Sequence, residues 1–414
     1  MNDIKLMNKA ADNIRILAAS MVEKAKSGHP GGAMGGADFV NVLFSEFLVY
    51  DPKNPAWEGR DRYFQDPGHM SPMLYSVLAL AGKFTIDELK EFRQWGSVTP
   101  GHPEVNVMRG IENTSGPLGQ GHTYAVGAAI AAKFLKARLG DVMNQTIYTY
   151  ISDGGIQEEI SQGAGRIAGT LGLDNLIMFY DANNIQLSTT VGEVTTENVA
   201  MKYEAWGWKV ITINGNDVTE IRRALTEAKA ETSRPTLIIG NTIMGKGAVG
   251  ADKSSYENKV STHGQPLSAA GVSIADTIRN LGGNPDDPFQ IFPEVAELYA
   301  KRAKELEVIV AERYAAKAEW AKANPELAAK ACNALQRNYL QHSRLYIPLF
   351  FAEEAPHGHM AIGTTVFPTG IGVAATWNPD LAKQMGEVIA KEIRLQGAHI
   401  SYGPVIDLTR DARW

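Results

Sequence analysis

Four short runs rich in β-branched and aromatic residues recur along the middle of the chain: TIYTYIS (146–152), LIMFYDANN (176–184), WKVITING (208–215) and PTLIIGNTI (235–243). Each has the length and composition of a buried strand. A helical stretch to about Leu171 separates the first two, and VTEIRRALTEAKAE separates the last two. Strands that alternate with helices predict βαβ units and a mostly parallel, doubly wound α/β sheet. Residues 1–145 read as mostly helical, broken by Gly/Pro/His loops. Its opening, MNDIKLMNKAADNIRILAAS, carries charges among apolar residues and predicts an amphipathic helix rather than a signal peptide. From about Pro293 to Lys330 the chain is alanine-rich, charged and helical, in the manner of a linker or outer arm.

In an open α/β sheet, ligands sit beyond the carboxyl ends of the strands. Asp153 closes one predicted strand and Asn183 the next, a separation of 183 − 153 = 30 residues. That is about one βαβ unit, so both side-chain oxygens can face one crevice. An aspartate, an asparagine and nearby carbonyls suit Mg²⁺, a hard cation that prefers oxygen and is often shared with ligand phosphates. In the segment SDGGIQEEISQGAGR, Gly154 and Gly155 leave room for a phosphate close to the backbone. A helix starting near Ile156 would aim its first amides at that charge. Asp153-Gly154-Gly155 is also compatible with a plain turn, and Asn183-Asn184 with a plain loop. GAGRIAG (163–169) imitates a dinucleotide-binding glycine pattern but follows EEISQ rather than a strand, so the context that pattern needs is missing.

Histidines favour a site. His29 lies in SGHPGG, His69 in DPGHMSP, His102 in TPGHPE and His263 in STHGQ, each in a loop marked by glycine or proline. Several histidines in such loops suit proton transfer or anion binding. The net charge of −6 disfavours nucleic acid and anionic membranes as partners, and no apolar run is long enough to span a bilayer. The single cysteine, Cys332, allows no intrachain disulfide. A reducing, cytoplasmic compartment is therefore expected.

Residues 1 to about 330 resemble the N-terminal, thiamine diphosphate-binding half of transketolases. The resemblance rests on SGHPGG, RDRYFQDPGHMSPMLYS, TPGHPE, TSGPLGQG, SDGGIQEE, DANNIQ, and the GKG and STHG loops, all in family order. It implies that Asp153, Asn183 and the carbonyl of Ile185 hold Mg²⁺ (or Ca²⁺) on the diphosphate. Gly154 and the loop Gly116-Pro117-Leu118 would line the cofactor, with Leu118 beneath the thiazolium. His69 and His263 would face the diphosphate and the reacting end. His29 and His102 would assist proton transfer and bind sugar hydroxyls. Glu158 would join an acidic relay between subunits, leaving Glu159 solvated. The family often has Gly-Asp-Gly where this chain has Ser152-Asp153-Gly154, and His122 matches no family role. The implied activity is transfer of a two-carbon ketol unit from a ketose phosphate to an aldose phosphate, the cofactor acting as an electron sink.

The pyrimidine-binding domain that completes such a site is not found in the rest of the chain. A homodimer, or a separate chain carrying that domain, is the expected partner, and this chain alone is expected to be inactive. From about Asn333 the chain instead resembles the opening of the barrel of β-glucosidase-type glycoside hydrolases, on SRLYIPLFFAEEAPHGHMAIGTTVFPTGIGVAATWNP and EIRLQGAHISYGPVIDLTRDARW. Glu354 stands where that family has a sugar-binding acid. The expected organisation is thus a cofactor-binding domain over 1–270, a helical linker over 271–330 and an incomplete (β/α) barrel over 331–414. It reads as two truncated genes joined, an assembly artefact being favoured over a bifunctional protein. Two other functions remain open: a glycoside hydrolase, against which the missing nucleophile and open barrel count, and a non-catalytic cofactor-binding subunit.

Overall fold

The protein's structure is a computed structural model that describes residues 1–325, 327, 352–354, 365, 373, 376–395 and 400–402. It divides into two compact units, Met1–Trp320 and Ala321–Trp414.

The first unit opens with α1 (Ile4–Ala25), α2 (Pro30–Gly35) and α3 (Ala37–Val42), followed by β1 (Arg62–Gln65), α4 (Ser71–Leu80), α5 (Ile86–Lys90) and α6 (Gln120–Leu139). Then come β2 (Ile147–Ser152), α7 (Asp153–Gln157), α8 (Glu159–Thr170), β3 (Leu176–Ala182), α9 (Val199–Ala205), β4 (Lys209–Asn214), α10 (Val218–Lys229) and β5 (Thr236–Asn241). α11 (Ile274–Asn280) and α12 (Pro293–Ala323) close the series. The five strands form one sheet in the order β1-β2-β3-β5-β4, and every pairing is parallel.

All four expected strands form. A fifth, β1, lies in the stretch read as helical and pairs with β2 at the sheet edge. Its sequence, RYFQ, is short and flanked by charge and by Asp66-Pro67, so no periodic signal marks it. β2, β3 and β5 are buried along almost their whole length, whereas β4 alternates along KVITIN. Central strands of a parallel sheet are covered on both faces, and an edge strand is not.

Strict alternation along the strands feeds two cores. Tyr148, Tyr150, Ile177, Phe179, Ile211 and Ile238 face one, where α1, α3, α4 and α10 contribute Leu17, Phe39, Tyr75 and Leu225. Ile147, Ile151, Met178, Tyr180 and Leu237 face the other, built with Ala125, Ala129, Ala164, Tyr203 and Trp208. GAGRIAG lies inside α8, not at a strand end. Its glycines let Trp206 and Trp208 close on the helix: a Cβ on Gly169 would collide with the Trp206 carbonyl, and Trp208 Nε1 donates to the Gly165 carbonyl at 2.8 Å.

The segment expected as an arm packs into the first core through Ile278, Phe292, Val295, Leu298 and Tyr299. The apolar face of α12 is buried on the same unit, which runs to Trp320. A polar network ties the loops at the carboxyl end of the sheet to the helices. Arg15, about 1% exposed, pairs with Asp38 and donates to the Met34 carbonyl at 3.0 Å. Asp38 also accepts from Asn216 Nδ2 at 2.6 Å and lies 3.3 Å from Lys246 Nζ.

In the second unit the described strands Ala352–Glu354 and Ile400–Tyr402 pair in parallel, and a helix spans Pro379–Leu395. YIPLFF, part of the segment that resembles the glycoside hydrolase barrel, lies outside the described residues; Glu354 ends the strand Ala352–Glu354. Among the described residues no helix is long and apolar enough to cross a membrane.

Candidate functional site

The carboxyl ends of β1, β2, β3 and β5 open on a cavity of about 370 Å³. Its lining includes His29, His69, His102, Gly116, Leu118, Asp153, Gly154, Asn183, Ile185 and His263. Ten expected site residues, dispersed over 235 positions (29 to 263), thus meet in one place. Pro117 and Glu158 are exposed and do not line it. Met244, Gln186 and Leu187 line it without having been singled out by the sequence.

Register explains the convergence of the two key oxygens. Ser152 on β2 pairs with Asp181 on β3, so Asp153 and Asn183 leave adjacent strands within one residue of the same level. The helical turn after β2 begins at Asp153 itself, not near Ile156, and breaks at Glu158, whose extended backbone (φ −64°, ψ 132°) separates α7 from α8. Asp153 is held from two sides: Tyr180 donates its hydroxyl to Oδ1, and the Asn184 amide donates to Oδ2 at 2.9 Å. Asn184 takes the left-handed conformation (φ 64°) that turns its amide inward. Asn183 Oδ1 accepts from the Ile185 amide at 3.0 Å, which fixes the asparagine with its oxygen toward the loop backbone.

Burial pushes the Asp153 carboxyl up to about 7. The groups opposing that rise are the Tyr180 hydroxyl and the amides of Asn184 and Asn183, none of them a cation. Behind it, burial lifts Asp181 to about 6, against hydrogen bonds from Thr242 and Tyr150. Two buried carboxylates without a cationic partner are costly unless a positive ion joins them. No described cluster of three or more His, Cys, Asp or Glu side chains is arranged for a metal. The available donors are instead one carboxylate, one amide oxygen and one backbone carbonyl, a set that suits a hard cation sharing its shell with a phosphate.

Three imidazoles face each other across the cavity. Ring centroids lie 5.0 Å apart for His29 and His69, 5.7 Å for His29 and His263, and 5.4 Å for His69 and His263. His29 immediately precedes Pro30 at the start of α2, His69 sits in a tight turn after β1, and His263 follows another after residue 262. Burial holds His29 down to about 4, assisted by repulsion from His263, Arg93 and His102. Burial likewise lowers His69 far below its ordinary value, and lowers His263 and the more exposed His102. The rings are thus neutral at pH 7, each with one N–H to give. Nδ1 of His29 and of His263 is buried without a protein partner. Buried unpaired nitrogens mark where a ligand would bind. A carboxylate without a cationic partner and imidazoles with unpaired nitrogens, lining one cavity, suit a metal-bound diphosphate.

His122 is elsewhere: fully buried on α6, with Nδ1 2.8 Å from Ser161 Oγ.

The chain matches the family model described as transketolase, thiamine diphosphate binding domain, over residues 6–339. Residues 304–414 match the glycosyl hydrolase family 3 N-terminal domain. Transketolase 1 of Pasteurella multocida is 42% identical over 349 residues, which cover 81% of this chain and 51% of that protein. Transketolase 1 of Escherichia coli is 43% identical over 331 residues, covering 77% of this chain and 48% of that protein. The solved transketolase of Leishmania mexicana superposes with a TM-score of 0.76 at 33% identity, over 85% of this chain and 56% of that one. The chain therefore spans about half the length of the curated relatives it matches. Through the domain that carries the cavity, this chain belongs to the transketolase family.

Proposed function

We propose that the first unit binds thiamine diphosphate through Mg²⁺ (or Ca²⁺) and supplies half of a site for ketol transfer between sugar phosphates. The observation that carries this reading is the convergence of Asp153 and Asn183 at adjacent strand ends, in a cavity that three histidines also line. Asp153, Asn183 and the Ile185 carbonyl would hold the metal. His69 and His263 would donate to phosphate oxygens, with Gly154 leaving room for them. Leu118 would cover the apolar ring of the cofactor. When bound, the cofactor supplies an electron sink for cleavage of a bond next to a carbonyl. His29 and His102, at the open side, would orient sugar hydroxyls and move protons there.

Glu158 would act across an interface between subunits. In support, it immediately precedes α8, which with α6 carries an exposed apolar stripe: Tyr124 and Phe134 on α6, Ile160 and Ile167 on α8, and Leu171 just after it. A patch of this kind on a globular unit marks an association surface. The partner is a second copy of this chain or a separate chain with the pyrimidine-binding domain. Turnover would require that second half, and a cytoplasmic setting fits phosphorylated sugars. We assign residues 1–270 to the cofactor-binding domain and read 331–414 as a joined glycoside hydrolase-like segment.

Calorimetry tests the reading. The chain should bind thiamine diphosphate only with a divalent cation present, and Asp153→Ala should abolish the metal dependence. Equal affinity of the variant and the unaltered chain in Mg²⁺, or binding by the unaltered chain in chelator as tight as in Mg²⁺, would refute it.

A further inference from the structure

Among the buried acids that the function above leaves unused, Asp66 stands next to the cofactor loops. Asp66 follows β1, is 0% exposed, and does not line the cavity. Its own amide extends the sheet, donating to the Tyr150 carbonyl at 3.0 Å. Its carboxylate turns toward the start of α6. Oδ1 accepts from the Gly119 amide at 3.1 Å and Oδ2 from the His122 amide at 3.3 Å, and the Gly121 amide adds a third bond. The first amides of a helix have no partner within it, and their dipoles favour an anion. α6 has no side-chain cap of its own, because the residue before it is Gly119 with φ 85°. Asp66 supplies the cap from more than fifty positions upstream (119 − 66 = 53).

The same carboxylate touches both loops of the cofactor site. A Cβ on Gly155 would run into Asp66 Oδ1. On its other side Gly119 leaves no space either: an added Cβ would lie 2.9 Å from Glu158 Cβ and 2.7 Å from Ile160 Cγ2. Gly119, the end of the Gly116–Gly119 segment, is therefore wedged between Asp66 and the break after α7. Leu118 projects from that segment over Gly154, its Cδ1 3.0 Å from where a Cβ would stand.

We propose that Asp66 is a positioning residue that fixes the Gly116–Gly119 loop, and with it Leu118, at the apolar end of the cofactor cavity. This rests on the thiamine diphosphate reading. The diphosphate end is held independently, by Asp153, Asn183 and the histidines. Disturbing Asp66 should therefore affect recognition of the ring far more than recognition of the phosphates. General loosening of the fold would affect both alike.

The test compares thiamine diphosphate with inorganic pyrophosphate, each titrated with saturating Mg²⁺ into the full chain by calorimetry, with Tm measured in parallel. Asp66→Asn keeps the volume but turns an amide N–H against helix amides. It should weaken thiamine diphosphate by roughly tenfold or more and leave pyrophosphate within about twofold. Asp66→Ser, which keeps one small acceptor, is the second variant if the first does not fold. Parallel loss of both probes, no loss of either, or failure of both variants to fold overturns the assignment while the cofactor reading stands. If the unaltered chain binds neither probe, the cofactor reading itself has failed, and this inference falls with it.

Discussion

His122 sits where a charge cannot be tolerated. Its side chain is 0% exposed, Nδ1 is bonded to Ser161 Oγ at 2.8 Å, and Nε2 has no partner. The ring packs edge-on against Trp208 at 6.0 Å. Burial pulls its pKa down to about 3. In the unfolded chain the same imidazole titrates near its ordinary value of 6.5. The unfolded state therefore binds a proton that the folded state refuses, and stability falls as pH drops below 6.5 toward 3. Between pH 7 and pH 5 the unfolded state gains about 2 kcal/mol from this proton alone, from RT ln of the ratio of binding polynomials. His122→Asn keeps a polar atom near the Nδ1 position and removes the titration. Its cavity lowers stability by a pH-independent amount, so the comparison is between slopes. Urea unfolding of both proteins at pH 7, 6 and 5 should show the unaltered chain losing about 2 kcal/mol more than the variant over that range. Parallel loss by the two proteins would refute the reasoning, because His29, His69 and His263 are present in both.

Two further outcomes follow from the site and its surroundings. Pyrophosphate added to the chain already saturated with Mg²⁺ still brings net negative charge beside His29, His69 and His263, whose pKa values are lowered in the free protein. An anion raises them back toward the ordinary 6.5, so binding should take up protons and strengthen as pH falls toward about 6; calorimetry in two buffers of different ionisation enthalpy measures the uptake, and zero uptake or release contradicts it. Ile167→Glu puts a charge in the middle of the exposed stripe on α8, where Ile167 is 51% exposed. Light scattering should show a shift toward a smaller assembly with Tm almost unchanged, since exposed substitutions cost about 0.5 kcal/mol or less in the folded unit; an unchanged mass would remove the stripe from the interface.

What the chain discloses without its structure divides along a physical line. Local chemistry was legible. Asp153 and Asn183 could be placed at strand ends because apolar β-branched runs precede them, and the four histidines could be grouped because glycine and proline mark their loops. Relations between elements were not. Whether β5 enters the sheet between β3 and β4 is decided by which strand is buried on both faces. The difference between LIIG and the half-exposed alternation of KVITIN is a weak trace of that. The hydroxyl that steadies Asp153 comes from Tyr180, on the neighbouring strand, and only register brings the two together. Asp66 is the sharper case. In RDRYFQDPGH it looks like one more turn-forming aspartate before a proline. Its partners, Gly119, Gly121 and His122, lie more than fifty residues on and contribute only backbone amides, which no side-chain pattern can announce. His122 is obscured in the opposite sense. The GQGHTY segment looks like a loop motif, yet it starts α6 and turns the imidazole inward toward Ser161 and Trp208. Residues whose partners are side chains in marked loops can be read from the sequence. Residues whose partners are backbone amides of another element can be read only from the fold, and in this chain those are the ones that hold the site in shape.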